Sequence, residues 1–501
     1  MADHDDASNH AKPEGRDAAT ILNNLRTAAL AEVDNAGLIW FHVKVIFTDS
    51  YDLFAINLAV VMLGYVYGTT PDRNCRPTLN NHQNLALKVA APVGNFSGSS
   101  SSVVGRHYGV ELIIMIVGTF AQATAGGGQA MNIIAMLIFW RFIATISSEF
   151  ASTRIRGRMM TAVFAAQGWG NFAASLCATV ITILFRSAME KDFPTAVAGL
   201  NHVDYMWRLL IGLGCVPAAL ALYFRLTIPE TPRFTMDIQR NVEHRAQPVR
   251  VLHRANAPTA TRRDFLHYFG QWQNLRVLIG TAYSWFAIDV AFYTLGLNSS
   301  VILEANLYHL CIGNLILSLA GLIPGYWLCF LFIDRWGRRP IQLMGFIVLT
   351  VLFIIMGASW HHCSTTMPTT GTKFFVFLFC LANLFQNFGP NTTTFITPGE
   401  LFPTRYRSTA HGISAAAGKL GAIVAQIMFN QLVDPLQDPM KFLGHSFEIL
   451  AGFMFTGIFS TLLSLFALAD SLPGVTLVQC PELHIRCLIG TLPGPFWTVA
   501  G

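Results

Sequence analysis

Apolar residues run along this chain in long blocks separated by short polar junctions. Ten blocks reach spanning length: 39–66, 109–129, 159–185, 207–227, 275–297, 308–333, 341–358, 373–398, 409–432 and 445–469. About twenty apolar residues make a helix that crosses ~30 Å of hydrocarbon. Two further blocks are weaker, since 131–147 is apolar but short and 88–105 (KVAAPVGNFSGSSSSVVG) is rich in Ser and Gly. Taken in chain order with the ten, they are segments 4 and 2 of a nominal twelve. Backbone exposed to lipid must satisfy its own hydrogen bonds, so the pattern predicts an all-α membrane protein whose segments 2 and 4 are degenerate.

Composition agrees with the pattern. Of the 501 residues, 53% are hydrophobic and only 12% charged, with mean hydropathy +0.46, where a soluble domain carries about a quarter charged residues. The net charge of +5 sits in brief Arg-bearing junctions between apolar blocks, which speaks for topology and against nucleic acid as a partner. No phosphate-cradling G-x-x-x-x-G-K-[ST], no H-E-x-x-H and no G-x-S-x-G occurs, so neither an enzyme nor a cofactor is expected.

Lys and Arg concentrate in cytoplasmic loops, and that asymmetry sets the orientation of the helices. Arg154, Arg156 and Arg158 fill one junction, Arg335, Arg338 and Arg339 a second, and Arg405 and Arg407 a third, whereas 298–307 and 359–372 contain neither residue type. Both termini are therefore expected in the cytoplasm. Residues 1–36 carry no apolar core ahead of a small-residue cleavage site, which leaves targeting to the first spanning helix. The chain divides into a polar tail (1–36), a first bundle (37–227), an Arg-rich linker (228–273), a second bundle (274–470) and a tail (471–501).

An internal repeat supports the two bundles. Glu149-Phe-Ala-Ser-Thr153-Arg154-Ile-Arg156 matches Glu400-Leu-Phe-Pro-Thr404-Arg405-Tyr-Arg407, and each copy leads into an apolar block. At the same offset, Gly168-Trp-Gly170 falls on Lys419-Leu-Gly421. Two six-helix halves around a central site form a transporter architecture.

Ionisable groups inside hydrocarbon are costly, so those away from helix ends are functional candidates. In segment 7, Trp285, Asp289 and Tyr293 are spaced i, i+4, i+8 and share one helix face. The indole and phenol donate hydrogen bonds, and the carboxylate accepts from a protonated oxyanion such as dihydrogen phosphate. Two core aromatics beside an Asp paired to another helix would leave the same pattern. Lys419 lies ten residues into segment 11, too deep to snorkel, and needs either a substrate anion or Asp289 as counter-charge. Asp49 and Asp52 in segment 1 are i, i+3 neighbours able to share a proton, which suits a proton carrier. Gln167 and Asn391 are weaker signals, because amides between spanning helices more often bond another helix than a ligand. Asp334-Arg-Trp-Gly-Arg-Arg339 sits at a cytoplasmic junction and reads as a gating or structural element.

These residues stand in stretches that resemble the inorganic phosphate:proton symporters of fungi and plants, within the major facilitator superfamily. The stretches are TDSYDLFAINL, SEFASTRIRGRMM, FAAQGWGN, SWFAIDVAFYTLGLN and FGPNTTTFITPGELFPTRYRSTAHGISAAAGKLGAIVAQ, and the likeness covers most of 36–470. The resemblance implies the major facilitator fold, with twelve helices in two bundles that alternately open a central site. It places Gln167, Trp285, Asp289, Tyr293, Asn391 and Lys419 on phosphate-binding positions and Asp49 and Asp52 on proton-coupling ones, with Asp289 a further proton carrier. Glu149, Arg154, Arg156, Asp334, Arg335, Arg338, Arg339, Glu400, Arg405 and Arg407 form the expected cytoplasmic charge network. Inorganic phosphate, protons and the lipid bilayer of a plasma membrane are the implied partners.

The chain departs from that family at three internal places and in its tail. A G-G-D-Y-P-L-S stretch, whose Asp and Tyr serve phosphate and proton, is absent between Ile146 and Ser148. Segment 1 is shortened between Lys44 and Phe47, and of the first D-R-x-G-R motif only Val104-Gly105-Arg106 survives. The tail after Asp470 is unlike the family's acidic end. Proton-coupled phosphate uptake is the first reading of the chain, and a phosphate-binding sensor or transport-defective homologue is the alternative.

Overall fold

The computed structural model describes residues 43–71, 77–101, 110–126, 132–148, 157–192, 196–227, 262–303, 307–365, 368–403, 406–432 and 439–470. The expected tails, most of the linker, and Glu149, Arg154, Arg156 and Arg405 lie outside the described residues.

Helices stand at each of the twelve expected places. They are α1 (Val43–Tyr67), α2 (Asn81–Ser101), α3 (Val110–Ala123), α4 (Ile133–Ser148), α5 (Gly157–Asp192) and α6 (Ala196–Gly212 and Cys215–Thr227). The second half holds α7 (Trp272–Leu297), α8 (Leu307–Trp336), α9 (Arg338–Thr365), α10 (Pro368–Asn387 and Pro390–Leu401), α11 (Arg407–Leu432) and α12 (Pro439–Asp470). Among the described residues eight helices are long and apolar enough to cross a membrane, namely α1, α5, α6, α7, α8, α9, α11 and α12.

The remaining four differ for identifiable reasons. In α3 and α4 the apolar parts are short, Ile113–Ala123 and Ile133–Thr145. The 16 residues of α4 rise about 24 Å, below the ~30 Å of a bilayer core. Helix α2 begins at Asn81, seven residues before the apolar block, because Asn, His and Gln continue the helix where hydropathy alone stops. The single apolar block 373–398 is broken at Phe388-Gly389, and Pro390 restarts the helix at its first turn, where a missing N–H does no harm. Within the expected linker, a short helix Arg262–Phe269 packs its Phe269 with Leu278, Phe402 and Tyr406, sealing one end of α7, α10 and α11.

Among the described residues the halves meet where α2 packs against α11 and α5 against α8, and where α1 reaches α7. One apolar core runs through both, with Phe54 of α1 edge-on to Phe292 of α7 at 5.8 Å. Inside α8, Ser318–Leu322 winds as a π-helix, a wider turn that re-phases the side chains beyond it. A two-stranded ribbon, β1 (Thr70–Pro71) with β2 (Pro77–Thr78), joins α1 to α2.

Candidate ligand-binding site

The three stripe residues of α7 face the interior together, at 8%, 4% and 4% exposure for Trp285, Asp289 and Tyr293. Helix α11 lies directly over them because Gly418 has no side chain. A Cβ there would stand 2.8 Å from both Asp289 Oδ2 and Trp285 Nε1. That approach brings Lys419 to the stripe, where its ammonium donates to the Tyr293 hydroxyl at 3.4 Å and sits 5.9 Å from the ring centroid. Gln426, two turns further on, donates to the Tyr293 carbonyl at 2.9 Å.

The break in α10 presents Asn391 at the start of a new helix. Its amide donates to Asn387 Oδ1 at 2.7 Å and to the Tyr326 hydroxyl at 3.0 Å. Tyr326, fully buried on α8, donates in turn to Gln167 Oε1 at 3.0 Å. Both amides thus bond another helix, and one phenol ties the first half to the second. Tyr326 has no counterpart among the sequence candidates, since an aromatic in an apolar helix looks like core. Its facing depends on the π turn four residues earlier.

Aromatic rings close one end of this group. Phe164 of α5 stacks on Phe395 of α10 at 4.7 Å, and Trp285 and His411 stand edge-on to Phe395 at 6.0 and 5.4 Å. Ring faces of this kind exclude water while the polar atoms stay inside.

Asp49 and Asp52 belong to the first half, with Asp49 close enough to act electrostatically on Tyr293. They line a separate cavity in the first half with Gln122, Arg141 and Thr145. Asp52 accepts from Thr119 of α3 at 3.0 Å, and the buried Arg141 of α4 donates to the Asp52 carbonyl at 3.1 Å. Arg141 was legible as an ionisable residue inside segment 4, but the shortness of that segment hid its weight.

Among the described residues of the expected cytoplasmic charge network, Arg338 is the hub. It pairs with Asp334 at 3.1 Å and Glu400 at 2.9 Å, and its Nη2 donates to Glu400 Oε1 at 3.0 Å, joining the ends of α8, α9 and α10. Gly337 makes the junction between α8 and α9 at φ +86°, a backbone region that strains other residues. Arg407 donates to the Phe402 carbonyl at 3.0 Å, while Arg335 is exposed and Arg339 half-buried.

With the geometry in view, comparison with known proteins decides the family. The model of the sugar (and other) transporter family matches residues 43–471. The chain belongs to that family. Its relatives include the inorganic phosphate transporter PHO84 of Saccharomyces cerevisiae, 41% identical over 87% of this chain and 84% of that protein. A repressible high-affinity phosphate permease of Neurospora crassa is 40% identical over 88% and 87%, and inorganic phosphate transporter 1-1 of Oryza sativa subsp. japonica 34% over 87% and 93%. Among solved structures, a D-xylose-proton symporter matches with TM-score 0.60 and 18% identity, covering 85% of this chain and 96% of that one. The chain has the major facilitator fold and is an integral multi-pass membrane protein.

Two substitutions probe the geometry. Tyr326→Phe deletes the hydroxyl shared by Gln167 and Asn391. It is expected to lower stability by about 1–3 kcal/mol through the amide left unpaired, measured by thermal melting in detergent. Arg338→Ala removes two ion pairs of a side chain that is 26% exposed, each worth about 0–1 kcal/mol. Transport by that variant is expected to change by no more than about threefold.

Proposed function

We propose that this chain takes up inorganic phosphate together with protons, by alternating access of two six-helix halves to a central site. The observation that supports the reading most is the convergence of Trp285, Asp289 and Tyr293 with Lys419 beneath the bridge from Gln167 through Tyr326 to Asn391, in a chain whose relatives are named phosphate transporters. Dihydrogen phosphate carries two P–OH donors and two acceptor oxygens. Asp289 accepts from one P–OH, while Lys419, Trp285, Tyr293 and the amides of Gln167 and Asn391 donate to the oxygens.

Charge accounts for the coupling. Among the described residues an anion beside an ionised Asp289 is balanced by one nearby cation, Lys419, and an uncompensated unit charge at ~4 Å costs about 4 kcal/mol at an effective dielectric of 20. A proton on Asp289 removes that excess, so phosphate and proton enter together. Asp49 and Asp52, beside Arg141, supply a proton relay in the first half. Arg338 with Asp334 and Glu400 ties the inner ends of α8, α9 and α10 together within the second half, so that it moves as a unit when the halves rock. Cytoplasmic termini and a plasma-membrane location complete the reading.

Radiolabelled phosphate uptake into liposomes holding the purified chain, with and without a pH gradient, tests it. Uptake that rises with the gradient is expected. Phosphate bound without gradient-dependent uptake would instead make the chain a sensor, as the absent Asp-Tyr stretch of the first half allows.

A further inference from the structure

A second polar cavity lies on the α2–α11 seam, lined by Asn84, Lys88, Asn298, Gln426 and Asn430 together with apolar residues. Lys88 is 4% exposed, and its ammonium donates to the neutral Asn298 Oδ1 at 2.8 Å. Among the described residues no carboxylate lies within ion-pair distance of it. A cation held in hydrocarbon without a counter-charge is costly, and two of its three N–H donors remain for a partner in the cavity. One turn before it on the same helix, Asn84 Oδ1 is buried and has no hydrogen-bond partner. The cavity therefore offers a positive charge together with an orphaned acceptor. A fully deprotonated anion satisfies only the first. A small protonated oxyanion satisfies both, with an O⁻ on Lys88 and an O–H on Asn84.

We infer that this cavity is a second anion site, a staging post for dihydrogen phosphate on the path to the central one. The inference rests on the phosphate reading of that central site. Amides join the two places, since Asn298 donates to Gln426 Oε1 at 3.3 Å and Gln426 donates to the Tyr293 carbonyl at 2.9 Å. The separation along α7 and α11, from Tyr293 to Asn298 and from Lys419 to Gln426, is about 8–11 Å of helix rise. Lys88 also bridges the halves through Asn298, so loading the site competes with the contact that closes the seam. An arriving anion draws Lys88 from Asn298 and loosens the closure through which it enters.

Equilibrium binding of radiolabelled phosphate to the full chain in lipid nanodiscs tests the inference. Two phosphates per chain are expected, one lost in Lys88→Met and the other in Asp289→Asn, with sulfate displacing the one at the Lys88 site only poorly. Uptake KM in Lys88→Met should rise about tenfold with kcat little changed, because a charged vestibule raises the on-rate by that order. Melting without phosphate should show Lys88→Met at least as stable as the parent, which separates lost binding from lost fold. One phosphate per chain, lost in Asp289→Asn and kept in Lys88→Met, would overturn the second site and leave Lys88 a latch. No phosphate bound by the parent would defeat the central reading, and this inference with it.

Discussion

Asp289→Asn is expected to weaken phosphate uptake about 10- to 100-fold, the worth of a hydrogen bond to a charged group at 1.5–3 kcal/mol, and to abolish its dependence on a pH gradient. The substitution keeps the shape of the side chain and one acceptor oxygen, so the stripe on α7 stays packed. What it removes is the charge that makes phosphate entry require a proton. Uptake in liposomes at several external pH values reads both effects. The competing account of the same residues, two core aromatics beside a structural carboxylate, predicts a different outcome: the melting temperature falls while KM and the gradient dependence hold. Arg338→Ala in the same assay sets the scale, and equal losses for the two variants would sink the central-site assignment.

Gly418→Ala should be nearly as damaging, although it adds one methyl group and no charge. The new Cβ would stand 2.8 Å from Asp289 Oδ2 and from Trp285 Nε1, and nearer still to Trp285 Cδ1. Overpacking of this kind costs about 1–3 kcal/mol. The strain is relieved when α11 backs away from α7, and that movement carries Lys419 off the Tyr293 hydroxyl it now meets at 3.4 Å. A loss of about tenfold or more in phosphate affinity is expected. Gly412→Ala on the same helix is the control, since its Cβ would meet nothing within 4 Å. That variant should bind phosphate normally and melt slightly higher, by the helix propensity of Ala over Gly. Similar behaviour of the two glycine variants would contradict the close-approach account.

Much of this arrangement was legible because it follows helical arithmetic. The i, i+4, i+8 spacing put Trp285, Asp289 and Tyr293 on one face, and the structure buries all three. Lys419 stood out by its depth in an apolar run, and the matching E-x-x-x-T-R-x-R copies announced two halves. Other parts were hidden for physical reasons. Tyr326 carries no charge and lies in an apolar run, so nothing separated it from packing residues until the π turn fixed its direction. Lys88 stands at the edge of a stretch too polar to read as a spanning helix, yet α2 forms and is packed between neighbours that supply what lipid would not. The break at Phe388-Gly389 vanished into a continuous apolar block, because hydropathy averages over backbone interruptions. Contacts between halves depend on which faces meet, and a single chain pattern records faces but not their partners.

The wide turn at Ser318–Leu322 gives α8 a phase as well as a length. Each residue of an α-helix turns the chain by about 100°, and a π turn holds about one residue more than an α turn, so tightening that turn to ordinary α geometry would swing everything beyond it by about this amount. Tyr326 would leave Gln167 and Asn391 together, and this one of the ties between the halves would be undone by a twist. The site is therefore indexed like a combination dial: its two walls meet at one angular setting of α8, and a five-residue segment four positions upstream holds the setting.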